Sequence, residues 1–233
     1  MSSVEDQPYN WIGRLTISYL IDDMLYNYLG TAFLIDSRFA VTAGHCLYSR
    51  KKDIDGQLPS VVDGRLPENI TLDLGLNGTH SILSVEASNY AFHPNWKEGD
   101  REKASQYDIG IVCFPEGIHQ DEQNFFIPTT LDDDRLKGNI CRVTGYPSDL
   151  DNAMHMYSMK GRITEVEKHH LYYEIDTYGG QSGSPIWRFC KDQKVHETYG
   201  VHAYGMSRTN MGVRFSQAKL NYIEQEVKLF ESS

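Results

Sequence analysis

Residues 14–21, R-L-T-I-S-Y-L-I, carry Leu15, Ile17, Tyr19 and Ile21 at every second position. An extended chain points alternate side chains to opposite faces, so this run predicts a strand with one buried face. Seven more short segments, 31–35, 39–43, 109–114, 139–144, 156–165, 170–176 and 197–203, are rich in β-branched and aromatic residues. Gly, Pro, Asn or Asp separate them. Many short strands punctuated by turn residues predict an all-β sandwich or barrel. The polar stretches 49–80 and 94–107 read as exposed loops, the first with room for one hairpin. The C-terminus breaks the pattern: Leu220, Ile223, Val227 and Phe230 recur at three- and four-residue spacing. That spacing predicts an amphipathic helix over 216–231, with Ser216 as its N-cap.

Composition narrows the partners. Hydrophobic residues make up 40% of the 233 positions, enough to build a core and to argue against disorder. The formal net charge of -10 disfavours nucleic acid and anionic membrane surfaces as general partners. No apolar run reaches the eighteen residues of a transmembrane helix, so membrane insertion is not expected. The N-terminus M-S-S-V-E-D-Q-P lacks the basic start and apolar stretch of a signal peptide. Three readings stay open on that ground: a cytoplasmic protein, export by another route, or a mature form without its leader. Cys46, Cys113, Cys141 and Cys190 form no C-x-x-C pair and read as buried free thiols. The nine histidines, His169-His170 among them, lack metal-ligand spacing, so neither a metal nor a cofactor is expected.

Three motifs carry chemistry. In F-A-V-T-A-G-H-C, residues 39–46, an apolar strand ends in small residues and then His45. In Y-D-I-G-I-V, residues 107–112, Asp108 immediately precedes an apolar strand. In G-G-Q-S-G-S-P, residues 179–185, Ser182 lies among glycines that permit a tight turn. A serine hydroxyl is a weak nucleophile and needs a base to take its proton. The base in turn needs a partner that fixes its tautomer. The developing oxyanion needs preset N–H donors, and Gly180 and Ser182 are the candidates. Alone, each motif also has a bland reading: an incidental histidine, an aspartate bonding nearby N–H groups, a flexible Gly/Ser loop. Together they run His45, Asp108, Ser182, with the first two in one half of the chain and the third in the other.

That order resembles the chymotrypsin-like peptidases, and more narrowly the bacterial glutamyl endopeptidases. The resemblance extends from Pro8 to the C-terminal helix and is strongest in patches. These are P-Y-N-W-I at 8–12, V-T-A-G-H-C, Y-D-I-G-I-V, V-T-G-Y-P at 143–147, Y-Y-E-I-D-T-Y-G-G-Q-S-G-S-P at 172–185 and Y-G-V-H-A-Y-G at 199–205. It implies two packed six-stranded antiparallel β-barrels, approximately 10–120 and 121–215, followed by the helix. It also implies a serine endopeptidase, with His45, Asp108 and Ser182 catalytic and Gly180 and Ser182 forming the oxyanion hole. Protein or peptide substrates would be cut after Glu, with Asp left open, and a monomer is the default state.

The family's pocket residues map onto Thr177 and His202. An imidazole N–H and a hydroxyl can both hydrogen-bond a glutamate carboxylate. Asp176 pulls the other way, because trypsin-like enzymes hold an aspartate six residues before the nucleophile to bind Lys or Arg. Basic specificity through Asp176 therefore stays open. Cys46 follows the base as in the digestive enzymes, but its usual partner would fall near Gly30, so that disulfide is expected to be absent. Gln181 replaces the aspartate that pairs with a new N-terminus, so activation by that ion pair is not expected. A catalytically silent binding module on the same fold is the competing class, and retention of all three triad residues argues against it.

Overall fold

The computed structural model describes residues 3–50, 62–115, 117–118, 124–205 and 209–232. Strand β1 (Ile12–Ile21) buries Leu15, Ile17, Tyr19 and Ile21, the face expected from the alternation. It turns into β2 (Met24–Leu34) through Asp22 and Asp23, whose φ angles are 50° and 62°. A two-residue hairpin of this type I′ kind needs left-handed conformations at both positions, and Asp tolerates them better than most residues.

The first sheet adds β3 (Phe39–Thr42), β4 (Asn69–Leu74), β5 (Leu83–Glu86), β6 (Asn89–Phe92) and β7 (Gly110–Cys113). Its order is β5-β4-β1-β2-β3-β7-β6. The strands at its two edges, β5 and β6, are consecutive in the chain. Between them Ala87 N–H donates to Ile70 O at 2.8 Å, and Ser88 N–H donates to Cys113 O at 2.9 Å. One bent stretch therefore pairs with β4 by its first half and with β7 by its second, and the sheet closes into a barrel through the chain itself.

The second sheet contains β8 (Ile127–Pro128), β9 (Ile140–Gly145), β10 (Tyr157–Val166), β11 (His170–Tyr173), β12 (Pro185–Cys190), β13 (Val195–Gly205) and β14 (Asn210–Arg214). Its order is β12-β9-β10-β11-β14-β13-β8, and β12 also pairs with β13. Six strands thus form a closed antiparallel ring, and β8 lies parallel to β13 outside it. This is the two-barrel, all-β architecture expected from sequence.

Five short helices decorate the connections: α1 (Gly44–Leu47), α2 (Pro94–Lys97), α3 (Arg101–Ser105), α4 (Asp133–Leu136) and α5 (Ser148–Asp151). The stretch 94–107, expected as plain loop, holds α2 and α3. Asp100 caps α3 by accepting Lys103 N–H at 2.9 Å. The stretch 49–80, read mostly as loop with room for one hairpin, holds β4, which pairs with β1. Its residues 51–61 fall outside the described residues.

The C-terminal helix α6 (Gln217–Glu231) begins after Ser216 as expected, although the Ser216 hydroxyl makes no capping bond. Tyr222 and Ile223 are buried in the core of the first barrel, with Leu220, Val227 and Phe230 packed partly against it. The Phe230 ring stacks on Phe39 at 6.5 Å. Full burial of a side chain such as Ile223 contributes about 1.5–3 kcal/mol and the partly buried ones less, so α6 straps the first barrel. A second core of Leu136, Cys141, Val143, Ile163, Leu171, Tyr173, Ile175, Ile186 and Tyr199 fills the other barrel. All four cysteines are free thiols.

Candidate active site

Strands β3 and β7 are paired, with Thr42 opposite Gly110. Their pairing brings α1, just past the end of β3, beside Asp108, just before the start of β7. His45 Nδ1 lies 2.7 Å from Asp108 Oδ2, and the His45 backbone N–H donates to Asp108 Oδ1 at 2.7 Å. Asp108 has no exposed surface, so its carboxylate is desolvated and held at both oxygens. Burial pulls the His45 imidazole down. The charge of Asp108 and its hydrogen bond, with a contribution from Cys46, override that and hold it well above the ordinary 6.5.

Ser182 comes from the other barrel, in the loop between β11 and β12. That loop is tied down by its own backbone and by β2 of the first barrel. Gln181 N–H donates to Tyr178 O at 3.1 Å, Ser184 N–H to Gln181 O at 3.0 Å and Gly183 N–H to His202 O at 2.8 Å. Thr31 N–H donates to Ser182 O at 2.8 Å, and Thr31 Oγ1 donates to Gly180 O at 2.9 Å. Gly180 and Gly183 have φ of 91° and 93°, which glycine adopts without penalty. A Cβ on Gly180 would also lie 2.3 Å from Tyr146 O.

These bonds orient two peptide groups. Gly179 O faces Ser148, whose N–H donates to it at 2.7 Å and whose Oγ donates at 2.9 Å. A trans peptide points its N–H away from its C=O, so the Gly180 N–H faces away from Ser148. Gln181 O is likewise engaged by Ser184, which aims the Ser182 N–H the other way. Among the described residues neither N–H has a partner, and both residues line one cavity.

That cavity measures about 430 Å³ and is lined by His45, Cys46, Thr177, Gly180, Ser182 and His202, among others. It brings together His45, Ser182, Gly180, Thr177 and His202, while Asp108 stands behind His45. No hydrogen bond joins Ser182 Oγ to His45 Nε2 among the described residues; the two side chains share the cavity wall. His202 is 3% exposed, and burial, then the nearby His45, holds its imidazole down to about 3. Thr177 Oγ1 is inaccessible to solvent and has no hydrogen-bond partner among the described residues. Asp176, by contrast, is exposed and does not line the cavity.

Residues 30–195 match the sequence profile of the trypsin-like peptidase domain. The chain belongs to the trypsin-like peptidase family. This trypsin-like domain is 30% identical over 197 residues to the glutamyl endopeptidase of Bacillus licheniformis, covering 80% of this chain and 56% of that one. It is 28% identical over 225 residues to the extracellular metalloprotease of Bacillus subtilis, covering 96% and 66%. The chain thus spans about half to two-thirds of the length of these relatives. Among solved structures, a Glu endopeptidase in complex with MPD superposes with a TM-score of 0.76 at 22% identity, covering 97% of this chain and 94% of that one. The shared fold is chymotrypsin-like. Among the described residues of this trypsin-like domain, no three His, Cys, Asp or Glu side chains converge as a metal site.

Thr31 is the site residue that sequence reasoning missed. It is fully buried, holds Ser182 O and Gly180 O, and accepts Tyr146 N–H at 3.1 Å on the same hydroxyl. Nothing in G-T-A-F-L marks it, because its role lies in a contact between strands distant in the chain.

Proposed function

We propose that this trypsin-like domain is a serine endopeptidase with Ser182 as nucleophile, His45 as base and Asp108 as the group that orients the base. One observation carries the reading: a buried Asp108–His45 pair faces the cavity that also holds Ser182 and two backbone N–H groups without partners among the described residues. Asp108 accepts the Nδ1–H of His45 and so leaves Nε2 as the proton acceptor. As substrate seats, the Ser182 hydroxyl closes onto Nε2. Its proton passes to His45 while Oγ attacks the carbonyl carbon. The N–H groups of Gly180 and Ser182 take the oxyanion, a contribution of about 3 kcal/mol each. His45 then gives the proton to the leaving amine, and water repeats the sequence on the acyl-enzyme.

The substrates are proteins or peptides cut after Glu, or after Asp. Thr177 and His202 in the cavity wall support this. Thr177 Oγ1 has no hydrogen-bond partner among the described residues, and a neutral His202 offers one N–H to a carboxylate without a permanently buried charge. Asp176, exposed and outside the cavity lining, gives no support to a basic preference. Labelling by a fluorophosphonate probe tests the nucleophile, and a cleavage profile on a peptide library tests the pocket. Ser182→Ala should abolish both labelling and cleavage while the fold is retained. Cleavage by that variant at the wild-type rate refutes the assignment, and a profile dominated by Lys or Arg refutes the glutamate pocket.

A further inference from the structure

A neutral imidazole has one N–H, and its direction decides whether His202 attracts a carboxylate or repels it. If the proton sat on Nδ1, the cavity would meet the lone pair of Nε2. The contact that settles this lies on the far side of the ring, in the core of the second barrel. Tyr173 Oη is 2.6 Å from His202 Nδ1. Tyr173 is fully buried, and burial, then Cys141, raises its hydroxyl well above the ordinary phenol range. It therefore keeps its proton, and among the described residues His202 Nδ1 is the acceptor within its reach.

The backbone is shaped to permit the contact. Tyr173 is on β11 and His202 on β13, with β14 between them. The β14 residue opposite His202 is Gly212. A Cβ there would lie 3.3 Å from Tyr173 Oη, 2.7 Å from Val201 O and 2.2 Å from Ile186 Cδ1. Bare backbone at this position leaves the phenol room to reach across a strand. The His202 main chain is fixed as well: its N–H donates to Ser184 O at 2.9 Å and its carbonyl accepts Gly183 N–H at 2.8 Å. The strand that presents the imidazole is thus bonded to the residues flanking Ser182 on its C-terminal side.

We infer that Tyr173 is a positioning residue for substrate selection: its hydroxyl donates to Nδ1 of His202 and so leaves the single imidazole proton on Nε2, toward the cavity. This rests on the glutamate-pocket reading of His202. The pocket then discriminates by the sense of a hydrogen bond. A carboxylate accepts from Nε2–H with either oxygen. A glutamine amide must spend its one carbonyl there and leave its NH₂ in a pocket shaped for an acceptor.

The test combines a spectrum with a rate. In wild-type protein labelled with ¹⁵N-histidine, His202 should show an unprotonated Nδ1 and a protonated Nε2 over about pH 5 to 8. Tyr173→Phe removes one oxygen and keeps the ring. It should lower the ratio of kcat/KM for a Glu peptide over its Gln counterpart by about tenfold, mainly through KM. Fluorophosphonate labelling of Ser182, which does not use the pocket, should keep its rate. A wild-type spectrum with the proton on Nδ1 overturns the inference. So does an unchanged Glu/Gln ratio in Tyr173→Phe, or a labelling rate that falls in step with it, which would mark a purely structural role. Absence of any Glu over Gln preference in the wild type defeats the pocket reading instead, and the spectrum alone then decides whether Tyr173 sets the tautomer.

Discussion

Replacing Asp108 by Asn changes one atom and should inactivate the site through a specific conflict. The carboxylate accepts two hydrogen bonds of 2.7 Å, one from the His45 backbone N–H and one from Nδ1. Asparagine offers one acceptor and one donor. If its NH₂ faced the backbone N–H, two donors would meet in a site without solvent, at a cost of about 1–3 kcal/mol or more. Turned the other way, its oxygen keeps the backbone bond and its NH₂ faces Nδ1. The ring accommodates this by moving its proton to Nε2. His45 then presents an N–H to Ser182 and cannot take the hydroxyl proton. The corresponding substitution in the chymotrypsin triad lowers kcat about 10⁴-fold, or about 5.5 kcal/mol in the barrier. A similar loss is expected here, measured as kcat/KM on a Glu-containing peptide with thermal unfolding as a control for the fold. In the wild type, kcat/KM should fall as pH drops through a pKa above 6.5, because Asp108 favours the imidazolium and only the neutral ring is a base. A loss smaller than tenfold in the variant, with the fold intact, would show that Asp108 does not set the tautomer.

Two further outcomes concern stability. Gly183→Ala would place a Cβ 2.0 Å from Thr31 O at a φ of 93°, so urea unfolding should register a loss of about 1–3 kcal/mol or more; wild-type stability in this variant contradicts the described turn. Lys219 is 1% exposed, its Nζ donates to Arg214 O at 2.9 Å, and burial, then Arg214, lowers its ammonium from 10.5 to about 7. Between those values the unfolded chain binds more protons than the folded one, so stability should rise with pH by up to about 1.4 kcal/mol per unit. Lys219→Met should lose that rise, and its margin over wild type should be greatest at and below neutral pH. A stability difference that stays constant from about pH 7 to 9 defeats this account.

The parts of the molecule legible in sequence were those with a local cause. The alternation in 14–21 gave β1 and its buried face, and the spacing of Leu220, Ile223, Val227 and Phe230 gave α6. The same period of two runs through N-I-T-L-D-L, with Ile70, Leu72 and Leu74 buried, but polar surroundings disguised it. Strands β5, β6, β12 and β14 are short or interrupted by Gly and Pro, and they persist through pairing with distant partners rather than through pattern. Position in the chain separated Asp176 from Thr177 poorly: neighbours in an extended segment face opposite ways, and only the fold reveals which one meets the cavity. Tyr173 and Thr31 were invisible for the same reason, since each acts across a strand or between barrels.

Thr31 has a consequence for how the chain becomes competent. The His45–Asp108 pair belongs wholly to the first barrel, whereas the turn bearing Ser182 belongs to the second and is hung from β2 by two bonds of Thr31. If His45 and Ser182 act as proposed, folding either half alone yields a base without a nucleophile, or a nucleophile on an unbraced turn. On the proposed triad, hydrolytic competence is a property of the interface between the halves. On that assignment, a chain still emerging from synthesis, with its second barrel unfinished, would have nothing with which to cut its neighbours.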